Sequence, residues 1–305
     1  MSKRAISLLY TLLTAAAIML AFASFMPTRA DTGTEPQFSI GAIADFQYAD
    51  EDDAGTRLYR RAPAKLREAI ARFNAQNLDF VVHLGDFIDR DWPSYETALP
   101  IARTLRHPWY FVLGNHDFSV TDDKKPLVPR ELGMPARYYS FEHKGWAFVV
   151  LDGNDLSTYA WPEGDARLAE SREIRDRKYP TAELWDGGIG EEQMRWLDKT
   201  LAAADRGRRK VMILCHFPVY PENRHNLWNA AEVVALLERH PSVKIWLNGH
   251  NHDGNYGVKN GIHYLNLKGM LDTTQTSYAV LDFYEDRVEV HGAGRQSDFV
   301  LALRP

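Results

Sequence analysis

Short runs of apolar residues, each ending in a polar cluster, recur along the chain. Six runs rich in Val, Ile and Phe span residues 38–44, 78–84, 109–113, 146–151, 210–214 and 243–247. Runs of this length and composition are typical of buried β-strands. Two further runs, 278–283 and 287–290, lie on either side of Glu285 and Asp286 and predict a hairpin near the end of the chain.

Segments with helical periodicity lie between the predicted strands, at residues 62–74, 191–204 and 229–238. In the first, Leu66, Ile70 and Phe73 recur at the spacing of one helix face. Strands that alternate with helices predict an α/β fold. No linker divides residues 38–295, so we expect one domain there, preceded by a linker at 31–37 and followed by a C-terminal tail at 296–305.

The first thirty residues have the pattern of a targeting segment. Lys3 and Arg4 precede an uncharged run over residues 5–26, and Ala23 and Ala30 mark plausible cleavage positions. This pattern predicts a signal peptide at residues 1–30 and a periplasmic or secreted protein. The alternative is an uncleaved anchor, because 22 uncharged residues could span a bilayer. We expect no membrane partner unless this leader stays uncleaved.

Composition excludes several classes of function. The chain has 305 residues, of which 45% are hydrophobic and 25% charged, as in a soluble globular protein. Its 36 basic and 41 acidic residues give a net charge of −5, which argues against nucleic-acid binding through bulk positive charge. A single cysteine, Cys215, excludes an internal disulfide framework and a Cys-rich zinc site.

Five polar clusters follow predicted strands and carry the candidate chemistry. They contain Asp45 and Gln47; Asp86 and Asp89; Asn115, His116 and Asp117; His216; and His250 and His252. Each cluster alone is compatible with an ordinary turn. Ligands of α/β folds gather at the carboxyl ends of strands, so we expect these clusters to converge on one edge and form a site.

The order of the clusters, D-x-[H/Q], G-D-x-x-D, G-N-H-[D/E], H and G-H-x-H, resembles the signature of the calcineurin-like metallophosphoesterases. Gln47 stands where most members have His. The stretches that are similar to the manganese-dependent ADP-ribose/CDP-alcohol diphosphatase branch are 43–50, 55–57, 187–197, 216–221, 249–256 and 266–273. The resemblance implies a layered αββα sandwich of two mixed β-sheets flanked by helices.

The resemblance also implies two divalent metal ions, Mn²⁺ in this branch. One ion would be held by Asp45, Gln47, Asp86 and His252, and the other by Asp86, Asn115, His216 and His250, with Asp86 as the bridge. Two such cations clamp a phosphate and activate a hydroxide that attacks phosphorus. The carboxamide of Gln47, in place of an imidazole, favours Mn²⁺ or Mg²⁺ over Zn²⁺ because both are harder ions.

Three further residues are candidates for catalysis and substrate binding. By resemblance, His116 assists departure of the leaving oxygen. Asp117 is expected to orient its ring, with a helix or turn cap as the alternative. Arg57 follows the first cluster and could hold the distal phosphate of a diphosphate, the alternative being a solvated start to the next helix.

The expected partner is therefore a small-molecule nucleotide and not a nucleic acid. The expected reaction is cleavage of the diphosphate in nucleoside diphosphate derivatives of the ADP-ribose or CDP-alcohol type. One alternative is a phosphodiesterase or phosphomonoesterase of the same superfamily, acting on cyclic nucleotides or other phosphoesters. A second alternative is a metal-binding scaffold that has lost catalysis.

Overall fold

A computed structural model describes residues 35–304 of the protein, whose strands in this part of the chain form two mixed sheets. The strands of the first sheet are β1 Phe38–Ile43, β2 Phe80–His83, β3 Trp109–Phe111, β10 Ser277–Phe283, β11 Arg287–Gly294 and β12 Phe299–Ala302. Those of the second are β4 Tyr139–His143, β5 Trp146–Val150, β6 Lys210–Leu214, β7 Val243–Asn248, β8 Asn255–Lys259 and β9 Ile262–Asn266. Their spatial orders are β12-β11-β10-β1-β2-β3 and β4-β5-β6-β7-β9-β8.

The helices of residues 35–304 connect these strands. They are α1 Ala62–Asn74, α2 Trp92–Ala102, α3 Val128–Glu131, α4 Ala166–Lys178, α5 Glu191–Arg206 and α6 Ala230–Leu237. Short 3₁₀ turns lie at Tyr59–Arg61, His116–Phe118 and Lys125–Leu127. No helix among residues 35–304 has both the length and the apolar character needed to cross a bilayer.

The two sheets pack face to face with helices outside them. Along β5, Trp146 and Phe148 point into the core between the sheets, whereas Ala147 and Val149 point towards α5 and α6. This alternation follows from the two-residue period of a strand. The ring of Trp146 meets Phe283 of the first sheet edge-on at 5.0 Å. The predicted αββα sandwich of two mixed sheets is thus confirmed.

Parallel pairing brings the functional loops together. In the first sheet β1, β2 and β3 are parallel, and in the second β5, β6, β7 and β9 are parallel. The loops after β1, β2, β3, β6 and β7 carry the five polar clusters. Carboxyl ends of parallel strands meet at one edge of a sheet, and here the edges of two sheets contribute to the same place.

The predicted strands and helices correspond to observed elements within a few residues, but several elements were not predicted. Helix α4 buries only Leu168 and Ser171, so its sequence has no apolar periodicity to detect. Residues 296–305, set apart above as a tail, include β12, which pairs antiparallel with β11. The predicted signal peptide, and residues 31–34 of the predicted linker, lie outside the described residues.

Candidate metal centre

Asp86 and two other predicted ligands surround the Nε2 atom of His216. This atom lies 3.3 Å from Asp86 Oδ2, 3.1 Å from Asn115 Oδ1 and 3.1 Å from His250 Nδ1. One carboxylate oxygen, one amide oxygen and two imidazole nitrogens therefore crowd together in the protein interior, where all four residues are buried. We call Asn115, His216 and His250, with Asp86, the second half-site.

Asp45, Gln47 and His252, with Asp86, form what we call the first half-site. Asp45 and Gln47 are fully buried, and His252 Nε2 lies 3.7 Å from Asp45 Oδ1. The Gln47 amide donates through Nε2 to Asp89 Oδ1 at 3.0 Å. Its Oε1 atom is buried with no hydrogen-bond partner among the described residues. A buried oxygen left without a donor is costly unless something else binds it, so Gln47 suits a cation ligand.

Each of the three histidines is held by one ring nitrogen and presents the other to the cluster. His216 Nδ1 donates to the Leu84 carbonyl at 2.8 Å, and His250 Nε2 lies 2.9 Å from Asp186 Oδ1. His252 Nδ1 lies 2.5 Å from Asp272 Oδ2. Such contacts fix tautomer and ring direction, as they do for metal-binding histidines. Asp186 and Asp272 were not singled out from the sequence as site residues.

The backbone at the site is held in the left-handed region. Asp45, Gln47, Asp86 and His250 have φ values of 52°, 52°, 55° and 71°. Non-glycine residues rarely adopt this conformation, and it concentrates at functional sites where the surrounding structure enforces it. Close packing is also required, since a Cβ on Gly114 would lie 2.1 Å from Asp86 Oδ1.

The electrostatics of the cluster favour positive charge. Burial alone would lower the pKa of His216, but the charge and hydrogen bond of Asp86, the charge of Asp45 and the Leu84 carbonyl together raise the pKa to about 9. Burial acts to raise the pKa of Asp86, yet the charges of His216 and His116 hold it well below its ordinary value. An ionised, buried carboxylate beside imidazole nitrogens is a donor set suited to a divalent cation.

His116 differs from the predicted ligands because its side chain is 27% exposed. Its Nδ1 lies 2.9 Å from the Asp89 carbonyl oxygen and 3.2 Å from Asp89 Oδ1. The expectation that Asp117 orients this ring is wrong. The Asp117 carboxylate instead accepts the backbone N–H groups of Asp86, Phe87 and Gly114.

A cleft of about 360 Å³ opens above the cluster. It is lined by Arg57, Asp86, Asn115, His116, Trp185, His225, His250 and His252. The structure thus places Arg57 and His116 in one cleft. Trp185 and His225 were not singled out from the sequence because neither belongs to one of the five polar clusters. The Trp185 ring lies 5.0 Å from His225 and 5.3 Å from His250, between centroids.

Comparisons with known proteins agree with this geometry. The family profile for calcineurin-like phosphoesterases matches residues 38–254. A curated Arabidopsis thaliana protein named manganese-dependent ADP-ribose/CDP-alcohol diphosphatase is 31% identical over 86% of this chain and 96% of its own. A Homo sapiens protein of the same name is 28% identical over 90% of this chain and 95% of its own. The crystal structure of a dimetal phosphatase from Danio rerio superposes with a TM-score of 0.80 at 28% identity, covering 88% of this chain and all of that one.

Proposed function

We propose the substrate of this protein, starting from two facts: the chain belongs to the calcineurin-like phosphoesterase family, and it is a metal-dependent phosphohydrolase. The substrate is a nucleoside diphosphate derivative of the ADP-ribose or CDP-alcohol type, cleaved within its diphosphate. The names of the curated relatives support this class. The observation that carries the proposal is the placement of His116 and Arg57 in one cleft above the acid–histidine cluster.

The described residues fit two divalent cations, which we propose are Mn²⁺. The second half-site supplies four donor atoms around one point, and the first supplies the buried, unpartnered Gln47 Oε1 beside Asp45 and His252. Asp86 is the proposed ligand to both cations. Bound divalent cations lower the pKa of a coordinated water and neutralise phosphate charge. Oxygen-rich ligands in the first half-site favour Mn²⁺ over Zn²⁺.

His116 is the proposed proton donor to the leaving oxygen. Nδ1 donates to the Asp89 carbonyl, so Nε2 is the ring nitrogen left for the substrate. In the imidazolium form Nε2 also carries a proton, which passes to the departing phosphate oxygen and leaves the ring neutral. Asp89 holds the ring in place and also holds the Gln47 amide. One carboxylate therefore couples the direction of the proton donor to that of a metal ligand.

Arg57 and Trp185 are the proposed contacts to the rest of the substrate. The Arg57 guanidinium lies 3.9 Å from Asp89 Oδ1 and faces the cleft, where it can hold the phosphate not under attack. Trp185 lines the same cleft, with its ring 5.3 Å from that of His250 between centroids, and offers a flat apolar surface. Stacking of a nucleobase on such a ring contributes roughly 1–3 kcal/mol.

A substrate panel tests this proposal. Purified protein with Mn²⁺ is assayed on ADP-ribose, CDP-choline, 2′,3′-cyclic AMP and nitrophenyl phosphate, with His116→Ala as the control for a contaminating hydrolase. We expect the highest kcat/KM on one of the two diphosphates and loss of that activity in the control. A higher kcat/KM on the cyclic nucleotide or on the ester would favour a phosphodiesterase or phosphomonoesterase. No hydrolysis of any of them by metal-loaded protein would favour a scaffold.

We also propose that the protein is exported and acts in the periplasm or outside the cell. Support comes from residues 1–30 alone, where a positive start, an apolar run and small residues are arranged as in a signal peptide. Sequencing the N-terminus of the mature protein tests the proposal. A mature chain beginning at residue 24 or 31 supports cleavage, whereas an intact leader in the membrane fraction supports the anchor.

A further inference from the structure

Lys65 is a buried lysine with an unusual set of partners. Only 4% of it is exposed, and it forms no ion pair with a carboxylate among residues 35–304. Its Nζ atom donates to the carbonyls of Met270, Leu271 and Asp272 at 2.9, 2.8 and 3.0 Å. The three N–H bonds of an ammonium are thus matched by three consecutive carbonyls, which satisfies a charge that is otherwise costly to bury.

A second cationic side chain, that of Arg295, contacts the same segment. Arg295 Nη1 donates to the Gly269 carbonyl at 3.0 Å, and the Arg295 guanidinium lies 3.8 Å from Asp272 Oδ2. Every carbonyl from 269 to 272 therefore accepts a hydrogen bond from a cationic side chain. We call residues 269–272 the clamped loop. It begins three residues after the end of the strand β9 and leads towards the first half-site.

The clamped loop supports both Asp45 and His252. Its Leu271 N–H donates to the carbonyl of Asp45 at 2.9 Å, next to a backbone held at φ 52°. Asp272 Oδ2 lies 2.5 Å from His252 Nδ1. The Gly269 N–H donates to the His252 carbonyl at 3.1 Å, and a Cβ on Gly269 would lie 2.8 Å from the His252 ring. Small shifts of the loop would move two ligands at once.

The side chains of the second half-site are held by groups outside this loop. The second half-site is linked to the loop through Asp45, whose carboxylate accepts the His250 backbone N–H at 3.1 Å. His216 is held by the Leu84 carbonyl and His250 by Asp186. The Asp86 carboxylate is held by the His116 N–H at 2.8 Å. None of these partners belongs to residues 269–272. A change in the loop should therefore act more strongly on the first half-site, which the loop contacts directly, than on the second.

We propose that Lys65, assisted by Arg295, is a positioning residue for the first half-site. The two cations fix the carbonyls of the clamped loop and thereby the direction of the Asp272 carboxylate and the Asp45 backbone. This inference rests on the metal-binding part of the proposed function and not on the substrate. Outer-shell contacts of metal ligands commonly change metal affinity by about 10- to 100-fold.

The test measures how many Mn²⁺ ions the full chain binds without substrate and how tightly it binds each one. The measurements are calorimetry and the electron paramagnetic resonance signal of free Mn²⁺. Lys65→Met keeps length and apolar packing but removes the ammonium. We expect one of the two binding events to weaken about tenfold or more, with the other within about twofold. The weakened event should be the one that His252→Ala removes, and not the one that Asn115→Ala removes.

Two further variants keep the test decisive. Lys125→Met is the control, because Lys125 is also a largely buried lysine, with a side chain 13% exposed. Its Nζ lies 2.8 Å from Asp122 Oδ1 and 3.4 Å from the Trp161 carbonyl oxygen, and it contacts no predicted ligand. Lys125→Met should leave both Mn²⁺ affinities unchanged. Arg295→Gln should weaken the same Mn²⁺ binding event selectively. This variant serves as the test if Lys65→Met does not fold. The proposal would be overturned if both sites weakened equally, or if Lys65→Met or Arg295→Gln left the affinities unchanged. It would also be overturned if the wild type bound a single Mn²⁺. Failure to hydrolyse diphosphates would leave it standing.

Discussion

The imidazole of His116 is oriented by Asp89 and not by Asp117, its neighbour in sequence. Asp89 contacts His116 Nδ1 through both its carbonyl, at 2.9 Å, and its carboxylate, at 3.2 Å. Asp117 points the other way and accepts the Gly114 N–H at 2.8 Å. Its carboxylate thus ties the loop after β3 to the loop after β2, whereas Asp89 acts on the proton donor itself.

These different roles predict a loss of stability in one variant and a loss of kcat in another. In Asp117→Asn an amide NH₂ group replaces one carboxylate oxygen and faces backbone N–H groups that then lack an acceptor. This should lower the free energy of unfolding by about 1–3 kcal/mol. Asp89→Asn keeps the backbone carbonyl at Nδ1 but loses the carboxylate, so we expect kcat to fall about 10- to 100-fold at saturating Mn²⁺. Urea denaturation and kcat on the best diphosphate separate the two effects. A fall in kcat for Asp117→Asn at unchanged stability would restore the role predicted from the sequence.

The two roles could not be distinguished from the sequence because the short 3₁₀ turn His116–Phe118 sets the direction of each side chain. Adjacent residues in such a turn point apart by about 120°. The Asp117 carboxylate therefore turns into the interior, where it also receives the Tyr95 hydroxyl at 3.1 Å. The motif located both residues correctly but carried no information on direction.

The apolar pattern predicted the central strands well, because their burial on both faces leaves long runs of Val, Ile and Phe. It missed β4, whose five residues alternate between half-buried and exposed, and the polar helix α4. The supports of the site were missed for a different reason. Lys65 and Asp272 lie 207 positions apart and meet only through the tertiary fold.

Stability should fall in acid because of His83. This residue is buried among Phe87, Trp109 and Phe111, and neither ring nitrogen has a hydrogen-bond partner among the described residues. Burial lowers its pKa from 6.5 to about 3. Between these values the unfolded chain binds a proton that the folded protein does not. Stability is therefore lost as pH falls below about 6.5, by at most about 1.4 kcal/mol per pH unit from this group.

His83→Phe removes this contribution. The difference in unfolding free energy between pH 7.5 and pH 5 should be smaller in the variant than in the wild type by roughly 2 kcal/mol. Urea titrations at both pH values measure it. An equal pH difference in His83→Phe and wild type would show that His83 titrates normally in the folded protein.

Metal preference should depend on Gln47. Its Oε1 is the amide oxygen offered to the first half-site, while Asp89 holds Nε2 at 3.0 Å. Gln47→His replaces that oxygen by an imidazole nitrogen, a ligand better suited to Zn²⁺. We expect the ratio of Zn²⁺ to Mn²⁺ affinity to rise about tenfold, measured by competition in metal-depleted protein. A ratio unchanged in Gln47→His, with both ions still bound, would place Gln47 outside the ligand set.

Arg57 should govern affinity for diphosphates more than turnover. It reaches the cleft from the segment after the first ligand loop, and Asp89 lies 3.9 Å from its guanidinium. Arg57→Ala removes a charge-assisted contact to phosphate, which is worth about 1.5–3 kcal/mol. KM for the best diphosphate should therefore rise about 10- to 100-fold, with a smaller change in kcat.

Two comparisons make this test specific: the KM of Arg57→Ala for a monoester, and the KM values of a variant at a nearby arginine. Nitrophenyl phosphate has no second phosphate, so its KM should change much less in Arg57→Ala. Arg60 is paired on the surface with Asp50 and Asp52, and Arg60→Ala should leave both KM values near those of the wild type. If KM for the monoester rose as much as KM for the diphosphate, Arg57 would contact the attacked phosphate itself. If neither changed, the cleft would hold the substrate without Arg57, and the distal phosphate would have to bind elsewhere along it.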